Sequence, residues 1–174
     1  MIRGRRRNKR AMLILGTVLL MLAAAFAVNV IPAVAGDPPP PIAAEPLTPR
    51  SVFPDDVNMK FKLKLHGGRT VVVKVNDPSR TLDVKYTVQP GAQFPWHSHR
   101  GPVIVTLVSG SLAYIPADTC HERTYLGGQS FVDPGHGHVH SAINRGTEPT
   151  VFIATFFEAP AEGPLLIPAD PACG

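Results

Sequence analysis

The sequence lacks the short motifs that mark several large enzyme classes. It contains no Gly-x-Ser-x-Gly elbow, no glycine-rich phosphate loop and no Cys-x-x-Cys pair. These absences argue against serine hydrolases, P-loop nucleotide enzymes and thioredoxin-like redox proteins. Apolar residues with the 3.6-residue period of a helix are also missing beyond the N-terminal segment, so no amphipathic helix is predicted there.

Acidic residues are absent from the first ten positions, which hold six basic residues. An apolar run follows at residues 11–28, and an Ala-x-Ala sequence stands at residues 33–35. This order is typical of a secretory signal peptide, here residues 1–35, cleaved before Gly36. The apolar run also reaches the lower limit of length for a membrane span, so an uncleaved N-terminal anchor is the alternative. Either way, the rest of the chain is predicted to be secreted or extracytoplasmic, with membrane contact only through an uncleaved anchor.

The excess of positive charge belongs to this N-terminal segment. The whole chain has 17 Lys and Arg against 13 Asp and Glu, and residues 1–35 hold six of the basic residues and none of the acidic ones. The remaining chain therefore carries 11 basic and 13 acidic residues, a net charge of −2. The basicity of the whole chain is therefore a feature of its targeting segment, and a nucleic-acid partner is not predicted for the rest of the chain.

Cysteine is scarce, since Cys120 and Cys173 are the only two in 174 residues. Outside the cytoplasm a pair of cysteines usually forms a disulfide, so a Cys120–Cys173 bridge is predicted. Residues 159–174 form a proline-rich, aperiodic tail that would otherwise fray, and the bridge would give that tail a reason to be ordered.

The chain between the signal and the tail divides into a spacer and a β-rich segment. Residues 36–56 include four consecutive prolines and show no periodicity, which predicts an extended spacer outside the core. From residue 57 the pattern changes, beginning with strict alternation in MKFKLKL at residues 59–65. Many short β-like runs between turn signals follow, so residues 57–158 are predicted to form one antiparallel sandwich or barrel.

Five of the seven histidines fall in two clusters. His97 and His99 are two residues apart on a predicted strand, so their side chains share a face. His136, His138 and His140 also share a parity, and His140 is the most securely placed on a strand. Three imidazoles from two strands could hold a transition metal. The alternative is that these are hydrogen-bonded core histidines or a chance surface cluster.

Two segments around these histidines resemble the motifs of the cupin superfamily. The first motif has a glycine, five residues, His-x-His, three or four residues, a glutamate, six residues and a glycine. The second has a glycine, five residues, Pro-x-Gly-x-x-His, three residues and an asparagine. The matching residues are Gly91, His97, His99 and Gly110 in the first segment and Gly128, Pro134, Gly137, His140 and Asn144 in the second. The second segment has one extra residue between its proline and Gly137, and in the first the glutamate position falls on Val103, or on Ile104 with the longer spacing.

The resemblance implies an all-β, single-domain double-stranded β-helix, the cupin jelly-roll barrel. It also implies that His97, His99 and His140 bind one divalent transition metal: iron, zinc, copper or nickel. The glutamate that would be the fourth ligand cannot be carried over to Val103, and His138 and Glu122 are the nearest other candidates in sequence. A face-to-face homodimer is common in this fold, and the sequence does not decide the assembly.

Three functions fit these features. The first is an exported metal-dependent oxidoreductase or dioxygenase that acts on a small molecule. The second is a barrel that binds a metal or a small ligand without catalysis, which the lack of an evident general acid or base near the histidines mildly favours. The third is a scaffold that binds no metal.

Overall fold

The computed structural model describes residues 41–64 and 69–173. The predicted signal segment, residues 1–35, and the first part of the predicted spacer lie outside these ranges. Thirteen β-strands occur within them: β1 Ile42–Pro46, β2 Ser51–Val52, β3 Asn58–Lys64, β4 Thr70–Asn76, β5 Arg80–Val88, β6 Gln93–Ser98, β7 Val103–Ser109, β8 Ser111–Pro116, β9 Arg123–Leu126, β10 Ser130–Asp133, β11 His140–Ile143, β12 Thr150–Phe156 and β13 Ile167–Pro168. In the same ranges no helix has the length and apolar character needed to cross a membrane.

The strands form two main antiparallel sheets that share one core. One sheet has the order β1-β5-β12-β7-β10, with β2 also paired to β5, and the other has the order β13-β6-β11-β8-β9. Buried side chains from both sheets make a single hydrophobic cluster, which places the core between them. The predicted all-β barrel is therefore confirmed.

The two central strands of the larger sheet show why this sequence forms a barrel. Every second residue of β5 is buried from Leu82 to Val88, and β12 alternates in the same way from Thr150 to Phe156. A strand with a period of two presents one apolar face, which is stable only when another sheet covers it. Tyr86 stacks on Phe152 across the β5–β12 ladder, with ring centroids 5.1 Å apart.

Strands β3 and β4 form a separate two-stranded hairpin in which Asn58 pairs with Asn76 and Lys64 with Thr70. Its alternation is as predicted, because the three lysines of β3 are exposed and the residues between them are half-buried. The ring of Phe61 lies 6.1 Å from that of Phe157, a contact that holds the hairpin against the end of β12.

The expectation that residues 36–56 stay outside the core is wrong for part of that stretch. Ile42–Pro46 pairs with β5 from Val88 to Val84, and Ile42 packs on the hydrophobic cluster. Ser51–Val52 pairs with the beginning of β5. An extended segment that contains proline can pair at the edge of a sheet, because the N–H that proline lacks is not needed on the side that faces solvent. Residues 42–46 are extended, as their composition predicts, but their pairing partner lies about 40 residues further along the chain.

The C-terminal tail is fastened to the barrel at several points. The predicted Cys120–Cys173 disulfide is present. Ile167–Pro168 pairs with the end of β6, and the amide of Ala169 donates to the carbonyl of Trp96 at 3.0 Å. The Arg50 side chain donates to the carbonyls of Pro160 and Gly163. The tail therefore lies along β6, the strand that carries His97.

Candidate metal centre

His97, His99 and His140 come together inside the barrel. His97 lies on β6, His99 follows the end of that strand by one residue, and His140 begins β11 directly opposite His97 in the β6–β11 ladder. All three side chains are buried. One ring nitrogen from each lies within 4.8 Å of the others. The structure thus groups the three histidines that the sequence analysis singled out.

The outer nitrogens of His97 and His99 both face backbone carbonyls. Nδ1 of His97 is 2.6 Å from the carbonyl oxygen of Pro95, and Nδ1 of His99 is 3.0 Å from that of Leu165. A carbonyl oxygen only accepts hydrogen bonds, so in each neutral ring Nδ1 carries the proton and Nε2 keeps the lone pair. Nε2 is therefore the nitrogen that can coordinate a metal in both rings.

His140 has the same arrangement with different partners. Its Nδ1 lies 3.3 Å from the carbonyl oxygen of His138 and 3.1 Å from Oδ2 of Asp133. Both are acceptors, so Nε2 is again the unprotonated nitrogen of the neutral ring. Such contacts to the outer nitrogen are the usual way in which proteins orient histidine ligands. The chemistry of these three rings fits a divalent transition metal.

Burial favours the neutral, coordinating form of the rings. Desolvation lowers the pKa of His97 to about 3, with the charge of His140 acting in the same direction. Desolvation also lowers the pKa of His99. A metal competes with protons for these nitrogens, so the lowered pKa values weaken the competition from protons.

A buried carboxylate, which sequence reasoning missed, lies beside the three histidines. Asp133 ends β10, is 1% exposed, and pairs directly with Val103 across the β7–β10 ladder. Directly opposed residues of an antiparallel pair place their side chains on the same face. Asp133 and Val103 thus line the same cavity from neighbouring strands, and the Asp133 carboxylate lies against the outer nitrogen of His140.

Asp133 is the centre of a hydrogen-bond network. Its Oδ2 accepts from the hydroxyl of Tyr114 at 2.5 Å and from Nδ1 of His138 at 3.1 Å, and its Oδ1 accepts from the amide of Gly135 at 2.8 Å. Burial acts to raise the pKa of Asp133, but the charge of His140 and the hydrogen bonds from His138 and His140 outweigh it and hold the pKa well below its usual value. The carboxylate is ionised, so it would compensate part of the charge of a cation bound at the histidines.

The pKa values of two hydrogen-bond partners of Asp133, Tyr114 and His138, are both raised. Burial and the charge of Asp133 hold the pKa of Tyr114 well above its usual value, so the hydroxyl remains a donor. Desolvation acts to lower the pKa of His138, but the hydrogen bond to Asp133 and the charge of Asp133 outweigh it and raise that pKa. His138 is therefore a partner of the carboxylate, and together with Asp133 and His140 it forms a second group whose atoms could hold a metal.

Two residues named in the sequence analysis have other roles. Glu122 does not line the cavity. Its carboxylate forms a bidentate ion pair with Arg145 on the surface, at 2.7–2.9 Å. His136 pairs with Glu158, with 2.6 Å between Nε2 and Oε2. Val103 is 2% exposed and contributes an apolar wall.

The three histidines face a small cavity of about 40 Å³. A single water needs about 10–15 Å³ on this measure, so the cavity has room for an ion and a few small ligands. Apart from the histidines and the Asp133–Tyr114 pair, its walls are apolar or aromatic: Tyr86, Phe94, Val103, Val105, Leu112, Phe131, Ala142, Phe152, Ala154, Phe156 and Leu166.

Comparison with known proteins gives one family match. The family model described as the cupin domain matches residues 84–156. No curated protein matches the chain.

Several solved structures are similar at low sequence identity. The polyketide cyclase RemF from Streptomyces resistomycificus is 17% identical with a TM-score of 0.45, and the alignment covers 52% of this chain and 61% of that one. The Cupin_2 domain of an XRE family transcriptional regulator from Enterobacter cloacae is 16% identical with a TM-score of 0.45, covering 67% and 95%. KdgF from Halomonas sp. is 18% identical with a TM-score of 0.43, covering 69% and 82%. This chain thus spans about three fifths of the length of the cyclase.

The family match coincides with the part of the fold that builds the candidate centre. It begins within β5 and ends with the last residue of β12, so it includes the three grouped histidines and Asp133. The match to the cupin domain model confirms the predicted resemblance to the cupin superfamily over residues 84–156.

Proposed function

We propose that this protein is an exported metal-dependent oxidoreductase that acts on a small molecule and binds one divalent metal through His97, His99 and His140. The observation that carries the proposal is the common orientation of the three rings. Each has Nδ1 against a hydrogen-bond acceptor and is thereby left with Nε2 as the coordinating nitrogen.

The donor set favours iron, zinc, copper or nickel. Imidazole suits these metals, whereas manganese and magnesium prefer oxygen ligands, and no carboxylate stands at position 103. A bound divalent metal would supply Lewis acidity and, if it were iron or copper, a redox centre with free coordination positions. Asp133 would compensate the added charge from outside the three-nitrogen set.

The chain's own residues prepare the cavity for such chemistry. Aromatic and aliphatic side chains from both sheets line it and keep bulk water away from the histidines. Tyr114 holds a proton at its hydroxyl, in a short hydrogen bond to the ionised Asp133.

A second candidate, a barrel that binds a metal without catalysis, is favoured by the size of the cavity. About 40 Å³ admits an ion and a few atoms, so a substrate would have to bind with only its reactive end inside. Oxygen uptake by the iron-loaded protein, screened over small phenols, thiols and diketones, separates the two functions. Turnover of any of these supports the enzyme, and tight iron binding without turnover supports the binder.

Elemental analysis tests the metal itself. Protein without a histidine tag, purified without added metal, is expected to carry one iron, zinc, copper or nickel per chain. The His97→Ala, His99→Ala double variant is expected to carry none, whereas His121→Ala, at an exposed histidine outside the group, keeps the metal. Native protein that remains metal-free after reconstitution would refute the proposal.

Export is proposed together with the function. The disulfide is compatible with an extracytoplasmic location, because such bonds persist in oxidising compartments. We propose that residues 1–35 direct export and that the barrel, with β1 and β2 added at its edge, is the exported domain. N-terminal sequencing of the secreted protein would show whether the chain begins at Gly36. The homodimer remains a prediction, which sedimentation of the purified protein tests.

A further inference from the structure

A second cleft, of about 290 Å³, lies between hairpin strand β3 and the barrel strands β8, β9 and β10. This volume is close to the lower end of the roughly 300–1,000 Å³ that is typical of sites for small organic ligands. No carboxylate occurs among the described residues that line it. Five basic side chains line it, and we therefore call it the basic cleft: Lys62, Lys64, His121, Arg123 and His138.

The lysine and arginine side chains of the basic cleft have no acidic partner among the described residues, whereas His138 contacts Asp133. Within residues 41–64 and 69–173, Lys62, Lys64 and Arg123 form no ion pair, although Lys85 and Arg145 are each paired with a glutamate elsewhere on the barrel. Converging like charges repel one another, and a cleft lined by one sign of charge concentrates ions of the opposite sign. The complementary ligand is an anion.

An aromatic surface lies beside these charges. The rings of Tyr125 and Phe131 stack with centroids 4.3 Å apart and planes 21° from parallel. The Arg123 guanidinium lies over the Tyr125 ring, 4.9 Å from its centroid, which holds that cation next to the aromatic pair. A ligand that matches both features has a flat apolar body and a negatively charged group.

The basic cleft shares a wall with the cavity of the three histidines. Tyr114 and Phe131 line both spaces, and His138, which lines the cleft, donates to Asp133. The two spaces are thus separated by a single layer of side chains. The basic cleft does not require a bound metal, because protein side chains alone form its charged and aromatic surfaces.

We infer that the basic cleft binds a small aromatic carboxylate. The ring lies against the Tyr125–Phe131 pair and the carboxylate faces Lys62, Lys64 and Arg123. This goes beyond the metal centre and does not depend on it, so the two proposals can fail separately.

Calorimetric titration of benzoate into chelator-treated, metal-free protein at low ionic strength tests the inference. Saturable one-site binding of benzoate is expected, with benzamide, which has the ring without the charge, and acetate, which has the charge without the ring, each binding at least tenfold more weakly. Absence of saturable benzoate binding would overturn the inference. Equal binding of all three probes would also overturn it, because the cleft would then recognise neither charge nor ring.

Variants of the basic side chains test whether benzoate binds in the basic cleft. Lys62→Gln, Lys64→Gln and Arg123→Gln are each expected to weaken benzoate binding by a factor of three or more, and the triple variant by about 27-fold or more if the three effects multiply. Lys60→Gln is the control, because Lys60 lies on the same exposed face of β3 but does not line the cleft. All four side chains are exposed, so circular dichroism should show unchanged folds. An unchanged affinity in the triple variant would place benzoate elsewhere and overturn the inference.

Discussion

Replacing Asp133 by asparagine should weaken metal binding without removing any of the three histidines. The substitution keeps the shape of the side chain and removes its charge. It also exchanges one acceptor oxygen for an amide that donates. In the native protein Oδ2 lies within 3.1 Å of three polar groups: the Tyr114 hydroxyl, His138 Nδ1 and His140 Nδ1.

The size of the effect follows from what Asp133 does for His140. Loss of the carboxylate removes the stronger of the two acceptors at His140 Nδ1 and leaves the carbonyl of His138 at 3.3 Å. Changes in such outer partners of histidine ligands typically cost 10–100-fold in metal affinity. The expected loss of binding free energy is therefore about 1.4–2.7 kcal/mol.

Competition with a chromophoric chelator for zinc or cobalt measures this change directly. The matched control is Asp118→Asn, because Asp118 lies 3.8 Å from His138 Nε2 but is substantially exposed. That variant should bind metal within about twofold of the wild type. Tyr114→Phe, which removes the 2.5 Å hydrogen bond to Asp133 and the 3.3 Å contact with His138 Nδ1 but keeps the Asp133 carboxylate, should give a smaller loss and serves if the asparagine variant is unstable. A folded Asp133→Asn protein with wild-type metal affinity would refute the reasoning.

Two further predictions concern stability. Cys120→Ser, Cys173→Ser protein should lose about 4 kcal/mol of unfolding free energy in denaturant titrations, because the disulfide closes a 53-residue loop. It should also release metal faster, because the tail carries the Leu165 carbonyl that contacts His99. An unchanged metal off-rate would show that the tail keeps this carbonyl in place without the disulfide. In metal-free protein, unfolding free energy should fall as pH drops from about 6.5 towards 3, because the unfolded chain protonates His97 near its ordinary pKa while the folded pKa is about 3. The fall should be shallower in His97→Gln, and equal slopes in the two proteins would contradict the assignment.

The strands and the histidine trio could be predicted because their signals are local. Alternation in β3 and β5 identifies strands without knowledge of their partners. The i and i+2 spacing of His97 and His99 fixes a shared face, and the motif resemblance added His140.

Asp133 and the tail could not be predicted in the same way, because their roles depend on register between distant strands. Asp133 reaches the site only since β10 pairs with β7, which sets it opposite Val103. A local signal existed, because Phe131 and Asp133 share a parity directly before Pro134. The tail likewise supplies the Leu165 carbonyl to a histidine 66 residues earlier, and β1 finds its partner only at the far end of β5.

Anomalous diffraction from crystals of the reconstituted protein tests the central claim most directly. Data collected at the absorption edge of the added metal should show one peak per chain, bonded to Nε2 of His97, His99 and His140 at about 2.0–2.1 Å. A peak bonded to Asp133, His138 and His140 instead would contradict the three-histidine centre, as would no peak at all in protein shown by elemental analysis to carry the metal.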